Sequence, residues 1–288
     1  MTNCNTPFIT CVDLGGTKLA VANIADGEII KSHTVPIDAS LSKDDFNAFL
    51  FNNLTPFVTK LCRGICIGVP GLVESDTGFV IEVLNIKHWQ NVALKTLLEA
   101  RFTRPVLVHN DANCFTYGIY KSKDYKSYEN LVGVTLGTGL GAGLILNGRL
   151  YTGKQSAAGE FGSFPYLDGI IEDYCSSQFF KKQGLDGAAT YQQAQAGDSH
   201  ALALFSELGK HLGHALVQVV QAFNPEKVVF GGAIAKSAPL FIDALQQTLF
   251  MQLPRSVYNA LQIHYTRDTN TALFGAYQLF LDEVATGE

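Results

Sequence analysis

Two glycine-rich turns of one design, set about half a domain apart, constrain this chain more than any other feature. The first is Val12-Asp13-Leu14-Gly15-Gly16-Thr17-Lys18, followed by an apolar run and an Asp26-Gly27 turn. The second is Val134-Thr135-Leu136-Gly137-Thr138-Gly139-Leu140-Gly141, followed by Leu144-Ile145-Leu146 and an Asn147-Gly148 turn. Each reads as strand, tight glycine turn, strand, Asx-Gly turn, strand. Glycine lets backbone N–H groups crowd around an anion with no Cβ in the way, and successive N–H groups make a concave anion site. Two such hairpins facing each other could hold the phosphates of one nucleotide. The pattern points to phosphoryl transfer.

The bulk properties fit that idea without proving it. At 288 residues and 47% hydrophobic composition, the chain can bury one large core or two of ordinary size. Twenty-one basic residues against 26 acidic ones leave a formal charge of −5. No Lys/Arg block is long enough to track a phosphodiester backbone, so nucleic acid is not an expected partner. No signal peptide is read at the termini, and no apolar stretch approaches the roughly 20 residues that span a bilayer. A soluble, cytoplasmic protein is expected. Six cysteines (Cys4, Cys11, Cys62, Cys66, Cys114 and Cys175) lack the spacing of a zinc knuckle or a disulfide scaffold. Gly64 lies between Cys62 and Cys66, at what reads as a helix-to-strand junction. Buried, reduced thiols are expected.

Periodicity gives the organisation. Residues 8–36 read as three antiparallel strands. Ser42 and Asp45 resemble a capping box opening a helix toward Cys62, which Pro56 should interrupt or kink. Gly64–Val69 is a short buried strand ending in Pro70-Gly71. Helical spacing returns over Val92–Phe102, and Pro105–Val108 is a strand ending at His109-Asn110-Asp111, with a helix over Ala112–Tyr120. The polar stretch Lys121–Asn130 is the best linker candidate. Residues 199–222 form the longest amphipathic helix, with Leu204, Leu208, Leu212 and Leu216 on one face. A strand over Lys227–Phe230 runs into Gly231-Gly232, and helices follow at 237–250 and 275–284. The matching openings predict two related α/β domains with a cleft between them. Their expected bounds are 1–118, joined by a C-terminal helix 276–288, and 119–275.

Several residues have the chemistry for a site. Asp13, ahead of the first turn, can hold Mg²⁺ through water, although an aspartate there can also cap the turn. Lys18 could offset phosphate charge or be a solvated lysine. Asp111 can accept the proton of an attacking hydroxyl, or simply N-cap the helix it opens. Asn110 beside it offers both donor and acceptor. Glu160 and Glu172 sit in apolar or glycine-rich surroundings, where a carboxylate needs good donors, either sugar hydroxyls or a basic residue. Gly231-Gly232-Ala233 permits close approach to a flat ligand such as adenosine. Neither a P-loop nor a strand-linked G-x-G-x-x-G is present. His211 and His214 share a helix face, with no third metal ligand in view.

Taken together, these motifs resemble the ROK family of sugar kinases, within the actin/hexokinase/Hsp70 ATPase superfamily, and the match runs almost end to end. Asp13–Lys18 is similar to the family's first phosphate motif and Leu136–Gly143 to its second. Gly231-Gly232-Ala233 is similar to the adenosine motif, and Asn110-Asp111-Ala112-Asn113 to the segment with the catalytic aspartate. Val69-Pro70-Gly71 and Leu84-Asn85-Ile86 resemble segments that help line the sugar pocket. The resemblance implies two ribonuclease-H-like α/β domains that close over a sugar. It also implies Asp111 as general base, with Gly71, Asn85, Asn110, Glu160 and Glu172 at the sugar. Asp13, Gly15, Gly16, Thr17, Lys18, Thr138, Gly139, Gly231 and Gly232 would surround Mg-ATP. A cytoplasmic homodimer would follow the habit of relatives.

One departure bears on the metal and the substrate. Members commonly follow Gly-Glu-x-Gly with a histidine that binds zinc and sugar, then a cysteine-rich loop. Here that position is Ser163, the loop shrinks to Phe164–Asp168, and Ile170 stands where a zinc cysteine would be. No structural zinc is expected, and one sugar contact is either lost or replaced by a serine hydroxyl. The implied activity is an ATP-dependent hexose kinase. His88-Trp89-Gln90-Asn91-Val92 resembles glucokinase-type members, whereas Asp111–Phe115 would also suit an N-acetylhexosamine kinase. The family includes sugar-responsive repressors, but those carry an N-terminal helix-turn-helix, and only twelve residues precede Asp13.

Overall fold

The structure, a computed structural model, describes residues 6–83 and 85–285; Cys4 and Leu84 lie outside them. It divides into two compact units. One takes the chain up to Lys126, Leu150–Ala158, and the chain from Asn270 onward; the other takes Ser127–Arg149 and Gly159–Thr269.

The first unit opens with β1 (Phe8–Leu14), β2 (Lys18–Ala25) and β3 (Glu28–Pro36), paired antiparallel in that order. Asp26 and Gly27 both have positive φ, 50° and 80°. That is the two-residue hairpin geometry an Asx-Gly pair adopts with least strain. In α1 (Lys43–Leu54), the Ser42 hydroxyl accepts the Asp45 N–H as N-cap. Pro56 lies just past this helix rather than kinking it: Thr55 before it keeps helical backbone (φ −50°, ψ −43°) as the C-cap, its N–H donating to the Phe51 carbonyl, and the proline follows outside the last turn. β4 (Cys62–Val69) then starts at Cys62 itself, so Cys62 and Cys66 lie in one strand and flank no helix junction. β5 (Leu72–Glu74) and β6 (Phe79–Glu82) form a small hairpin, followed by α2 (Leu94–Phe102), β7 (Val106–Asn110) and α3 (Asp111–Lys121). The sheet order is β3-β2-β1-β4-β7, with β1, β4 and β7 parallel.

The second unit repeats the plan. β8 (Leu131–Leu136), β9 (Leu140–Leu146) and β10 (Arg149–Tyr151), whose last two residues fall in the Leu150–Ala158 stretch of the first unit, carry an Asn147-Gly148 link at φ 52° and 71°. A two-residue-strand hairpin, β11 (Pro165–Tyr166) and β12 (Gly169–Ile170), leads into α4 (Ile171–Cys175), α5 (Ser177–Lys181) and α6 (Gly187–Gln195). The 25-residue α7 (Ser199–Phe223) begins where the Asp198 carboxylate accepts the Ala201 N–H, and stops at left-handed Asn224. β13 (Lys227–Gly231), α8 (Ala238–Gln252), α9 (Arg255–Ala260) and β14 (Gln262–Tyr265) complete it. The sheet order, β10-β9-β8-β13-β14, matches that of the first unit strand for strand. Finally α10 (Thr271–Ala285) belongs to the first unit.

Alternation decides which residues meet which layer. Along β1, Val12 and Leu14 enter a core shared with Phe46, Leu50 and Leu54 of α1 and Leu98 of α2. Ile9 and Cys11 point the other way, toward Cys114 of α3 and Leu273, Ala276 and Phe280 of α10. Period two therefore puts Asp13 on the α3 side of the sheet. The helices α3 and α10 press close because Gly118 and Gly275 leave no side chain against each other's backbone. A Lys121–Asp282 ion pair at 2.7 Å joins their outer ends. In the second unit Leu204, Leu208, Leu212 and Leu216 are all buried, as their spacing on α7 predicts. Cys11, Cys62, Cys66, Cys114 and Cys175 are free and buried. No helix among the described residues is long and apolar enough to cross a membrane.

Candidate active site

In the first unit the candidate residues gather at the carboxyl ends of the three parallel strands, where open α/β sheets place their ligands. Asp13 is level with Gly68 on β4, and Gly68 with His109 on β7. The buried Cys114 thiol, on the first turn of α3, feels the charge of both Asp13 and Asp111. Burial raises the Asp13 carboxyl above its ordinary range, and the Lys18 ammonium partly offsets that. A half-buried carboxylate short of cationic partners suits a hydrated Mg²⁺, which needs few protein ligands. Lys18 itself is exposed.

The first turn is closed by a hydrogen bond from the Gly15 N–H to the Lys18 carbonyl (2.9 Å). The next two amides, Gly16 and Thr17, donate to no acceptor among the described residues. A Cβ on Gly16 would lie 2.9 Å from Nδ2 of Asn85, so the turn and Asn85 are direct neighbours.

Asn110, not Asp111, is the N-cap of α3. Its Oδ1 accepts the Asn113 N–H (3.1 Å), and its Nδ2 donates to the Gly71 carbonyl (3.0 Å). β7 runs two residues further than its apolar run, pairing His109 with Gly68 and Asn110 with Val69, and so takes Asn110 into the cap position. Asp111 is left as the first helical residue, Oδ1 accepting the Ala112 N–H (2.8 Å). Gly71 has φ +95°, and a side chain there would meet the Glu82 carbonyl. This arrangement uses one donor and one acceptor of Asn110 and leaves one of each for a polyol.

The second unit builds its turn the same way. The Gly137 N–H donates to the Gly139 carbonyl (3.0 Å), and the Thr138 and Gly139 amides donate to no acceptor among the described residues. Gly231 is level with Thr135, and Gly232, at φ +89°, has room only for a hydrogen against the Leu136 carbonyl. The candidate adenosine turn thus abuts the base of the candidate phosphate turn.

Glu160 and Glu172 are each fixed by an apolar neighbour in sequence. Phe161 and Ile171 insert beside Leu212, Leu216 and Phe230 in the core beneath α7. Burial first, and then the charge of Glu172, pushes the Glu160 carboxyl up. Ser163 is exposed, its N–H donating to the Glu160 carbonyl in a short 3-10 turn. Glu172 shows a contact that no local sequence signal announces. Its Oε2 accepts the Leu140 N–H at 2.9 Å, immediately after the second turn.

The shortened loop is the β11–β12 hairpin, with Pro165 opposite Ile170 and Tyr166 opposite Gly169. The Tyr166 hydroxyl and His211 Nδ1 are 3.0 Å apart, and the His211 ring packs against Tyr174 and Phe179. Burial holds His211 below the usual histidine range. His214 pairs with Gln252 and also flanks the Tyr166 ring. No group of three or more His, Cys, Asp or Glu among the described residues is placed to hold a metal ion. Residues 165–170 of this hairpin supply neither a histidine nor a cysteine.

A family model described as the ROK family matches residues 9–283. A glucokinase of Halalkalibacterium halodurans is 28% identical over 279 residues, covering 82% of this chain and 83% of the relative. An N-acetyl-D-glucosamine kinase of Pasteurella multocida is 27% identical over 305 residues, covering 94% and 98%. Among solved structures, a ROK family transcriptional regulator, described as a homologue of the E. coli MLC protein, is similar with a TM-score of 0.86 at 24% identity. The match covers 100% of this chain and 81% of that one. With the paired strand orders, these similarities put both units in the actin/hexokinase ATPase fold.

Proposed function

The chain belongs to the ROK family, and on that premise we propose that it is an ATP-dependent hexose kinase, phosphorylating the terminal primary hydroxyl of glucose or a similar hexose. The observation that carries this reading is the repetition of one turn. In each unit the first glycine amide closes the loop and the next two are left for an anion. Four such amides, Gly16 and Thr17 with Thr138 and Gly139, supply the fixed dipoles that phosphoryl transfer requires.

The remaining roles are those the family resemblance implies. Gly231 and Gly232 take the adenosine, and Lys18 balances phosphate charge. Asp13 would hold Mg²⁺ through water, and the ion would supply charge neutralisation for the phosphates. Asn85, Asn110, Glu160, Ser163 and Glu172 bind hydroxyls, with Gly71 setting the backbone. Asp111 takes the proton of the attacking hydroxyl as that oxygen bonds to the γ-phosphorus. The bond from phosphorus to the ADP oxygen breaks, leaving sugar phosphate and ADP. Zinc has no part in this scheme.

A coupled ADP assay with a sugar panel tests it. ADP release that requires ATP, Mg²⁺ and glucose is the expected result, and a preference for N-acetylglucosamine or N-acetylmannosamine would reassign the sugar. No ADP from any sugar, together with a gel shift on duplex DNA, would replace the kinase by a sugar-responsive regulator.

A further inference from the structure

Glu172 stands in an unexpected place for a residue whose partner is a sugar. It follows Ile171, which is fully buried and anchors α4 in the core beneath α7. From that anchor the carboxylate reaches the loop end of the β8–β9 hairpin. Oε2 accepts the Leu140 N–H at 2.9 Å, and it fills the space where a side chain on Gly139 would lie. Oε1 accepts nothing from the described residues.

The same stretch of chain grips the turn twice more. The Ser177 N–H donates to the Gly137 carbonyl (2.9 Å), and the Ser177 hydroxyl to the Thr138 carbonyl (3.3 Å). From the other side, a Cβ on Gly162 would lie 2.7 Å from the Leu140 carbonyl, so the Glu160–Ser163 turn also backs onto the hairpin. Three backbone groups of the turn are thereby assigned to residues 172–177. The Thr138 and Gly139 amides keep their direction because their neighbours are held.

A carboxylate beside an anion site is costly unless it does something there, since it repels the phosphate it adjoins. The geometry points to Glu172 as a positioning residue for the second phosphate turn: one oxygen holds the Leu140 amide while the other is left for a sugar hydroxyl. One side chain then joins the two substrates, and nucleotide affinity depends on Glu172 even with no sugar present. This rests on the kinase reading.

The test is binding of the ATP analogue AMPPNP, with Mg²⁺ and without sugar, followed by binding of glucose. Glu172→Ala loses a charge-assisted hydrogen bond and weakens AMPPNP binding about tenfold or more. Glu172→Gln keeps an oxygen for the Leu140 amide and restores AMPPNP binding to near the wild-type level, while glucose binding stays impaired. Gly139→Ala, whose methyl would displace the carboxylate, weakens AMPPNP binding in the wild-type chain and adds little in the Glu172→Ala background. Unchanged AMPPNP binding by Glu172→Ala, or simple addition of the two defects, overturns the inference. If the wild-type chain fails to bind AMPPNP at all, the kinase reading falls and takes the inference with it.

Discussion

The side-chain amide of Asn110 donates to the Gly71 carbonyl at 3.0 Å, so the residue just before Asp111 is fastened to the loop that follows β4. The same side chain caps α3 through the Asn113 N–H. One asparagine therefore sets both where the helix starts and how Asp111 leaves the sheet.

Asn110→Ala should cost about 1 kcal/mol for the lost cap, with a comparable amount for the Gly71 link. Asn110→Asp keeps an acceptor for the Asn113 N–H and loses the donor, so it recovers the first part only. Urea unfolding of the two variants measures the difference. Equal destabilisation by Ala and Asp would show that the cap contributes nothing.

Glu160 contributes one pH dependence to stability. Its carboxyl is raised by burial first and by the charge of Glu172 second. A group raised on folding gives its full stability below the unfolded value of about 4.3, and loses it as the pH rises through the folded one. Glu160→Gln removes that loss. Its melting temperature should exceed the wild-type value near neutral pH, and the gap should close as the pH falls to about 4. A variant less stable than wild type at neutral pH would mean that the ionised carboxylate is favourably paired.

The parts of the fold that local chemistry determines were legible in the sequence. Asp26-Gly27 and Asn147-Gly148 mark their hairpins because few other pairs tolerate two positive φ values. The leucines of α7 mark its buried face through their spacing alone. What stayed hidden depends on tertiary pairing. Asn110 and Asp111 are equally good caps by type, and the choice fell to Asn110 because β7 pairs as far as Val69. Cys62 begins a strand because β1 lies beside it, with Phe8 as its partner. Glu172 lies 32 residues from Leu140, beyond the reach of any periodicity, and Ser177 gave no sign that it would hold the Gly137 carbonyl. The glycine turns announced an anion site; their supports did not.

The assay that bears most directly on the whole account is steady-state turnover by Asp111→Asn. The amide can still accept the Ala112 N–H, so the variant should fold and melt like the wild type. Lacking a proton acceptor, it should lose about 10²–10⁴ in kcat with little change in AMPPNP binding. Turnover near the wild-type rate in a folded Asp111→Asn protein would contradict the assignment of Asp111 as the base.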